Sequence, residues 1–209
     1  ALQSFTGLLD ASSSVQDMYF SDYAVTNETV GIPSEAVKTL AENDAVESVS
    51  TTRLSVFMPG AGDILPFETD LSVQSHETLQ LVNVDEAQLQ IYAPNLSAQD
   101  KQALKDGTGC LVKNPIAFSY GDTTVQQTDL TVGDTIQLGD RTLPVLGLID
   151  TAITINNDGF TNGVQLIVND EIYCSLLGND SYSEVYPTLQ DNADTDTCLL
   201  YTSDAADEL

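Results

Sequence analysis

Residues 130–150 constrain the fold more than any other stretch of this chain. They read Leu-Thr-Val-Gly-Asp-Thr-Ile-Gln-Leu-Gly-Asp-Arg-Thr-Leu-Pro-Val-Leu-Gly-Leu-Ile-Asp, which is turn, strand, turn, strand. Gly133-Asp134 turns the chain into a short strand at Thr135. Gly139-Asp140 suits a two-residue hairpin, because glycine reaches the positive φ that such turns demand. Residues 143–149 return as an apolar strand that tolerates Pro144 near its start. Strands this short are not stable alone, so the chain must assemble a sheet from several of them.

The remaining segments supply those strands in a definite order. In residues 1–18, Leu2, Phe5, Leu8 and Leu9 stand at helical spacing, and residues 19–25 alternate as a strand would, with Phe20 inward. Pro33-Ser34-Glu35 opens a helix with Ala36, Val37, Leu40 and Ala41 on one face, and Asn43-Asp44 stops it. Residues 46–57 alternate apolar and polar with period two, completing a first β-α-β. Residues 58–63, Met-Pro-Gly-Ala-Gly-Asp, form a turn and a candidate boundary. Short strands are expected at 71–73, 79–84 and 110–113. A helix is expected over 97–105, with Ser97 as N-cap, Asp100 three residues on and Gly107 as its stop. Asn156-Asn157-Asp158-Gly159 and Asn162-Gly163 mark loops. A strand at 164–168, a helix at 171–177 capped by Asn169-Asp170 and closed by Gly178, and a last strand at 183–189 follow. This second β-α-β mirrors the first, with a β-rich insert between them.

Charge excludes several functions. Six Lys and Arg stand against 32 Asp and Glu in 209 residues, a formal charge of −26. Such a field repels polyanions, so nucleic acid is excluded as a partner and an anionic membrane surface is disfavoured. No apolar run approaches the roughly 18 residues that span a bilayer, and no basic segment followed by an apolar one opens the chain as a leader would. A start at Ala1 suggests a piece of a longer protein. Residues 198–208, Cys-Leu-Leu-Tyr-Thr-Ser-Asp-Ala-Ala-Asp-Glu, resemble a translated sequencing adapter. On that reading the natural sequence runs to about Thr197 and continued beyond it, and its cysteines are Cys110 and Cys174. Their wide separation fits neither a zinc site nor a redox pair, and two packed thiols are expected.

Catalytic constellations are not found. The chain has no G-x-S-x-G elbow, P-loop, GxGxxG fingerprint or H-E-x-x-H. The single histidine, His76, sits in a polar stretch and reads as a surface residue. Asn156 to Gly159 invites calcium, but the loop lacks the later Glu that would complete it, and turn chemistry explains these residues. With no Trp and 7% aromatics, a carbohydrate cleft with paired carboxylates is a weak reading. No catalytic, cofactor or metal site is therefore expected.

The phrase Leu-x-Val-Gly-Asp-x-Ile-x-Leu, followed by Leu-Pro-Val-Leu-Gly-Leu-Ile-Asp, resembles the extracytoplasmic domain of MacB/FtsX-like ABC transporter permeases. Residues 34–50, ending Asp-Ala-Val-Glu-Ser-Val-Ser, and Gln165-Leu-Ile-Val-Asn-Asp-Glu-Ile-Tyr are similar to further phrases of that family, in the same order. The resemblance covers residues 20–189. It implies an α+β fold in which a discontinuous β-α-β porter-like subdomain (19–60 and 163–190) frames an inserted, mostly β subdomain (61–162). Residues 1–18 would be a stalk helix and 191–209 a disordered or adapter-derived tail. It also implies a non-catalytic module at the outer side of the cell membrane. Such a module would couple ATP-driven motion of membrane helices to export or sensing of a peptide, lipoprotein or antibiotic. Its partners would be an ATP-binding subunit, reached through membrane parts absent from this chain, and a second permease subunit or an extracytoplasmic peptide or lipoprotein. Met58, Ile64, Leu65, Phe67 and Phe160, apolar residues among glycines, are the expected partner-contact loops. A secreted or surface-anchored acidic binding module, adhesin-like, and a hydrolase with an unrecognised site are the alternatives.

Overall fold

Apolar residues two apart in a strand face the same way, so a strand buried on both sides needs apolar residues in both registers. Three strands of this chain meet that demand and organise most of its structure. A computed structural model describes residues 25–26, 31–117, 119–155 and 163–191. The chain divides into two compact units, residues 1–52 with 181–209, and residues 53–180.

In the smaller unit, β1 (Val25–Thr26), β2 (Val46–Phe57, of which residues up to Thr52 belong here) and β10 (Glu184–Leu189) form an antiparallel sheet. Strand β10 lies between the others. Val185 pairs with Val25 and with Thr51, and the register slips between Thr188 and Leu189. Ile32 and Tyr182 exchange backbone hydrogen bonds of 2.7 and 2.8 Å. Helix α1 (Ser34–Ala41) follows Pro33, whose fixed φ suits a helix start. It buries Val37 on Ile32 and Val185, with Ala36, Leu40, Val49 and Tyr182 around them. Ala41 is exposed, so the apolar face of this helix is one residue shorter than its sequence spacing suggests.

The larger unit is built on β3 (Thr78–Val84), β4 (Cys110–Lys113), β7 (Thr135–Leu138), β8 (Arg141–Leu148) and β9 (Gly163–Ile167), in the order β3-β9-β4-β8-β7. Strand β9 runs parallel to β3 and antiparallel to β4, β4 runs parallel to β8, and β7 and β8 form the expected hairpin. A separate two-strand ribbon joins β5 (Ser119–Tyr120) to β6 (Thr123–Thr124). Every residue of β4 and β9 is buried, as are the five central residues of β3. Alternation then separates two cores. Leu79, Leu81, Cys110, Val112, Val164 and Leu166 belong to one, together with Ile172 and Tyr173 of α4 (Asp170–Leu177). Val82, Leu111 and Ile167 belong to the other, together with Leu89 of α2 (Glu86–Tyr92) and Leu104 of α3 (Ala98–Lys105).

The helix caps follow from their residues. Ser97 accepts from the Asp100 N–H at 3.0 Å and donates to its carboxylate at 2.7 Å, a reciprocal cap of α3. Asn169 accepts from the Ile172 N–H at 2.9 Å, and Gly178 closes α4 in the left-handed region.

Three expectations differ from the structure. Residues 71–73 form no strand; Leu71 and Val73 pack on the core as part of an irregular strap. Helix α2 was not foreseen, although Asp85 accepts from the Gln88 N–H at its start. The block 163–190 does not stay together as the framing subdomain. Strand β9 and helix α4 belong to the larger unit because β9 pairs with β3 and β4, and only β10 joins the smaller one. The expected helix at 1–18, the first strand before Val25, the loop at 156–162 and the tail after Asp191 lie outside the described residues.

Candidate contact loop and buried polar anchors

The loop after β2 begins with a 3-10 turn, Pro59–Ala61, and Gly62 in the left-handed region. The Asp63 carboxylate accepts from the Met58 N–H at 2.7 Å and so closes the loop on itself. A Cβ on Gly60 would lie 2.0 Å from the Ser75 carbonyl oxygen, so only glycine fits where the loop crosses its own return. Five residues were expected to make partner contacts, and the structure separates them. Met58 is 48% exposed and Ile64 93%. Leu65 and Phe67 instead fold onto the larger unit's core, the Phe67 ring edge-on to Phe57 with centroids 5.8 Å apart. Phe160 lies outside the described residues. Glycines in the sequence mark where the loop turns, but they do not tell which apolar neighbour finds room beneath it.

The rest of this strap, up to Glu77, is fastened at both edges. Gly139 donates to the Glu68 carbonyl at 2.8 Å and the Gln137 N–H to the Asp70 carboxylate at 2.7 Å, which covers the open edge of β7. The Glu77 carboxylate is enclosed. It accepts from the Thr128 N–H (2.9 Å), the Thr128 hydroxyl (2.5 Å) and the Gln74 N–H (3.2 Å), with His76 Nε2 3.9 Å away. His76 itself is exposed, as expected.

Two other buried polar groups were missed by sequence reasoning. Arg53 donates to Asn83 Oδ1 at 2.9 Å, to Asp170 Oδ1 at 3.2 Å and twice to the Asp180 carbonyl, at 3.1 and 3.0 Å. A buried guanidinium needs that many acceptors to offset its lost hydration. Gln165 donates to Gln80 Oε1 and to the Ile153 carbonyl, both at 2.7 Å, and accepts from the Ile153 N–H at 2.8 Å. The signal was present in the sequence. Gln80 stands between Leu79 and Leu81, and Gln165 between Val164 and Leu166, polar letters inside apolar runs.

Cys110 and Cys174 are free thiols. Burial pushes the Cys110 thiol up to about 12, far from the reactive thiolate. The Cys174 thiol is also raised, by burial first, against the lowering influence of Arg53. Among the described residues no group of three or more His, Cys, Asp or Glu is placed to hold a metal ion. No described helix is long and apolar enough to cross a membrane.

No family model matches the chain, and no curated protein matches it. Among solved structures, the chain is similar to the extracellular domain of the noncanonic ABC-type transporter YknZ from Gram-positive bacteria. That likeness has a TM-score of 0.47 at 13% identity and covers 87% of this chain and 84% of that one. It is also similar to the periplasmic region of MacB from Actinobacillus actinomycetemcomitans, with a TM-score of 0.48 at 9% identity, covering 88% of this chain and 75% of that one.

Proposed function

We propose that this chain is the extracytoplasmic domain of a MacB/FtsX-like ABC transporter permease, a module that performs no chemistry and passes motion from membrane helices to a partner. The observation that carries the reading is the discontinuity of the chain. Residues 53–180 form one unit inserted between residues 46–52 of β2 and β10, which pair antiparallel in the other unit. A displacement of the smaller unit reaches the larger one covalently through two crossings, at Thr52–Arg53 and Asp180–Ser181. The three sequence phrases, in family order, support the same reading. ATP would be hydrolysed by a separate subunit, and the output would be export or sensing of a peptide, lipoprotein or antibiotic. In the contact loop, Ile64 is the residue that meets the partner, with Met58 exposed at the start of the same loop; Leu65 and Phe67 hold the loop down.

Cysteine labelling in the intact permease tests the placement. With the native cysteines replaced and Ile64→Cys introduced, a membrane-impermeant maleimide should label intact cells. Labelling that requires permeabilised cells overturns the extracytoplasmic placement. In the same transporter, Ile64→Ser should lower transport or signalling output with the thermal midpoint unchanged, whereas Phe67→Ser should lower the midpoint. Full output from Ile64→Ser removes this loop from the contact.

A further inference from the structure

The larger unit carries a cleft of about 360 Å³ away from the contact loop, between the turn that joins α2 to α3 and the end of β8. Its apolar lining includes Tyr92, Leu96, Leu146 and Leu148, and Leu148 is 44% exposed although it ends a strand of the central sheet. Asp100 and Asp150 are the charged side chains that line it. We propose that this cleft binds a small amphiphilic cation, an alkylammonium group whose apolar chain lies on the leucines while its charge meets the two carboxylates.

Size, charge and surface each select that occupant. The volume is at the lower end of small-molecule sites, so the cleft holds a small molecule rather than a folded partner. The Asp150 carboxylate is exposed and makes no hydrogen bond or salt bridge among the described residues. Lys113, which feels the charge of Asp150, is buried, donates to the Asn114 carbonyl and does not line the cleft. The N-terminus of α3 opens toward the cleft and would by itself favour an anion, but the negative charge of Asp100 already stands in its first turn, bonded to the Ser97 hydroxyl. The formal charge of −26 further repels an anionic ligand and attracts a cation. A cation without an apolar chain would leave the leucine walls in water, and an apolar ligand without charge would leave the Asp150 carboxylate without a partner.

The inference is independent of the transporter reading, and either can fail without the other. Its test is an amide-resolved NMR titration of the 209-residue chain with hexylammonium, hexanoate and hexanol. Hexylammonium should give saturable shifts confined to residues 92–97, 100 and 146–150, with affinity at least about tenfold above either comparison ligand. Asp100→Asn with Asp150→Asn should abolish that preference. Leu148→Lys, at an exposed position, should block binding while the remaining spectrum stays unchanged. Equal binding of hexanoate or hexanol, shifts scattered over the surface, or an unaltered preference in the double variant would each overturn the proposal.

Discussion

The same strands of the larger unit make two faces of opposite character. On one face Leu79, Leu81, Cys110, Val112, Val164 and Leu166 pack with the strap residues Leu65, Phe67, Leu71 and Val73 and with α4, and its buried polar groups, the Glu77 carboxylate and the Tyr173 hydroxyl, are bonded to Thr128 and Ser55. The other face sets Val82, Leu111 and Ile167 beside α2 and α3, includes the buried amides of Gln80 and Gln165, and opens at one side into the leucine-lined cleft. A strap can follow the surface of a sheet residue by residue and seal it, whereas two helices of seven and eight residues, joined by a turn, leave a gap where they part.

The sharpest way to break this contrast is to hollow out the sealed face. Leu81→Ala should cost about 2–5 kcal/mol in denaturant unfolding, the usual range for a fully buried leucine. A loss well under about 1 kcal/mol would mean that the strap can collapse into the space and that the face is not tightly packed.

On the other face the amides should matter more than their polarity suggests. Gln165→Leu enlarges the apolar core yet strands the Ile153 N–H and carbonyl and Gln80 Oε1, each of which now bonds to Gln165. An unmatched buried polar group costs about 1–3 kcal/mol, so the variant should be destabilised rather than improved. Equal or greater stability by thermal melting would show that this face tolerates a purely apolar interior.

An effect that is absent at neutral pH comes from Cys110 and appears only in alkali. Its thiol is held at about 12 in the folded chain against an ordinary value of 9.0. Between those values the unfolded chain has released the proton and the folded chain has not. Stability is therefore fully present below pH 9 and falls as pH rises toward 12, by about 1.4 kcal/mol per pH unit from this group. Urea unfolding of Cys110→Ala between pH 8 and 11 should show a shallower decline than the parent; an identical slope would mean that Cys110 is less shielded than its position in the sealed core implies.

Much of the local structure was legible because short-range physics decides it. Period-two alternation marked β2 over its full length; short apolar runs marked β3 and β4 to within a residue; Gly139-Asp140 marked the hairpin; Ser97 and Asn169 marked the starts of α3 and α4. Helix α2 is hard to read from the sequence because Glu-Ala-Gln-Leu-Gln-Ile-Tyr is only two turns long and directly follows a strand, with Asp85 alone to mark its start. Which of the five loop residues are exposed was not legible in the sequence. Ile64 and Phe67 are three positions apart in one polar, glycine-flanked loop, and whether either is covered depends on Phe57 and on a core assembled from distant strands.

The sequence by itself determined which segments are strands and helices, where they turn and how acidic their surface is, because alternation, caps, glycine and charge act within a few residues. Only the tertiary structure decided that β9 belongs with β3 and β4 rather than with β10. It also decided which apolar loop residues are buried, and where carboxylates and leucines meet in a cleft. Those outcomes come from pairing and packing between residues many tens of positions apart, which compete for the same partners and are resolved only when the whole core forms.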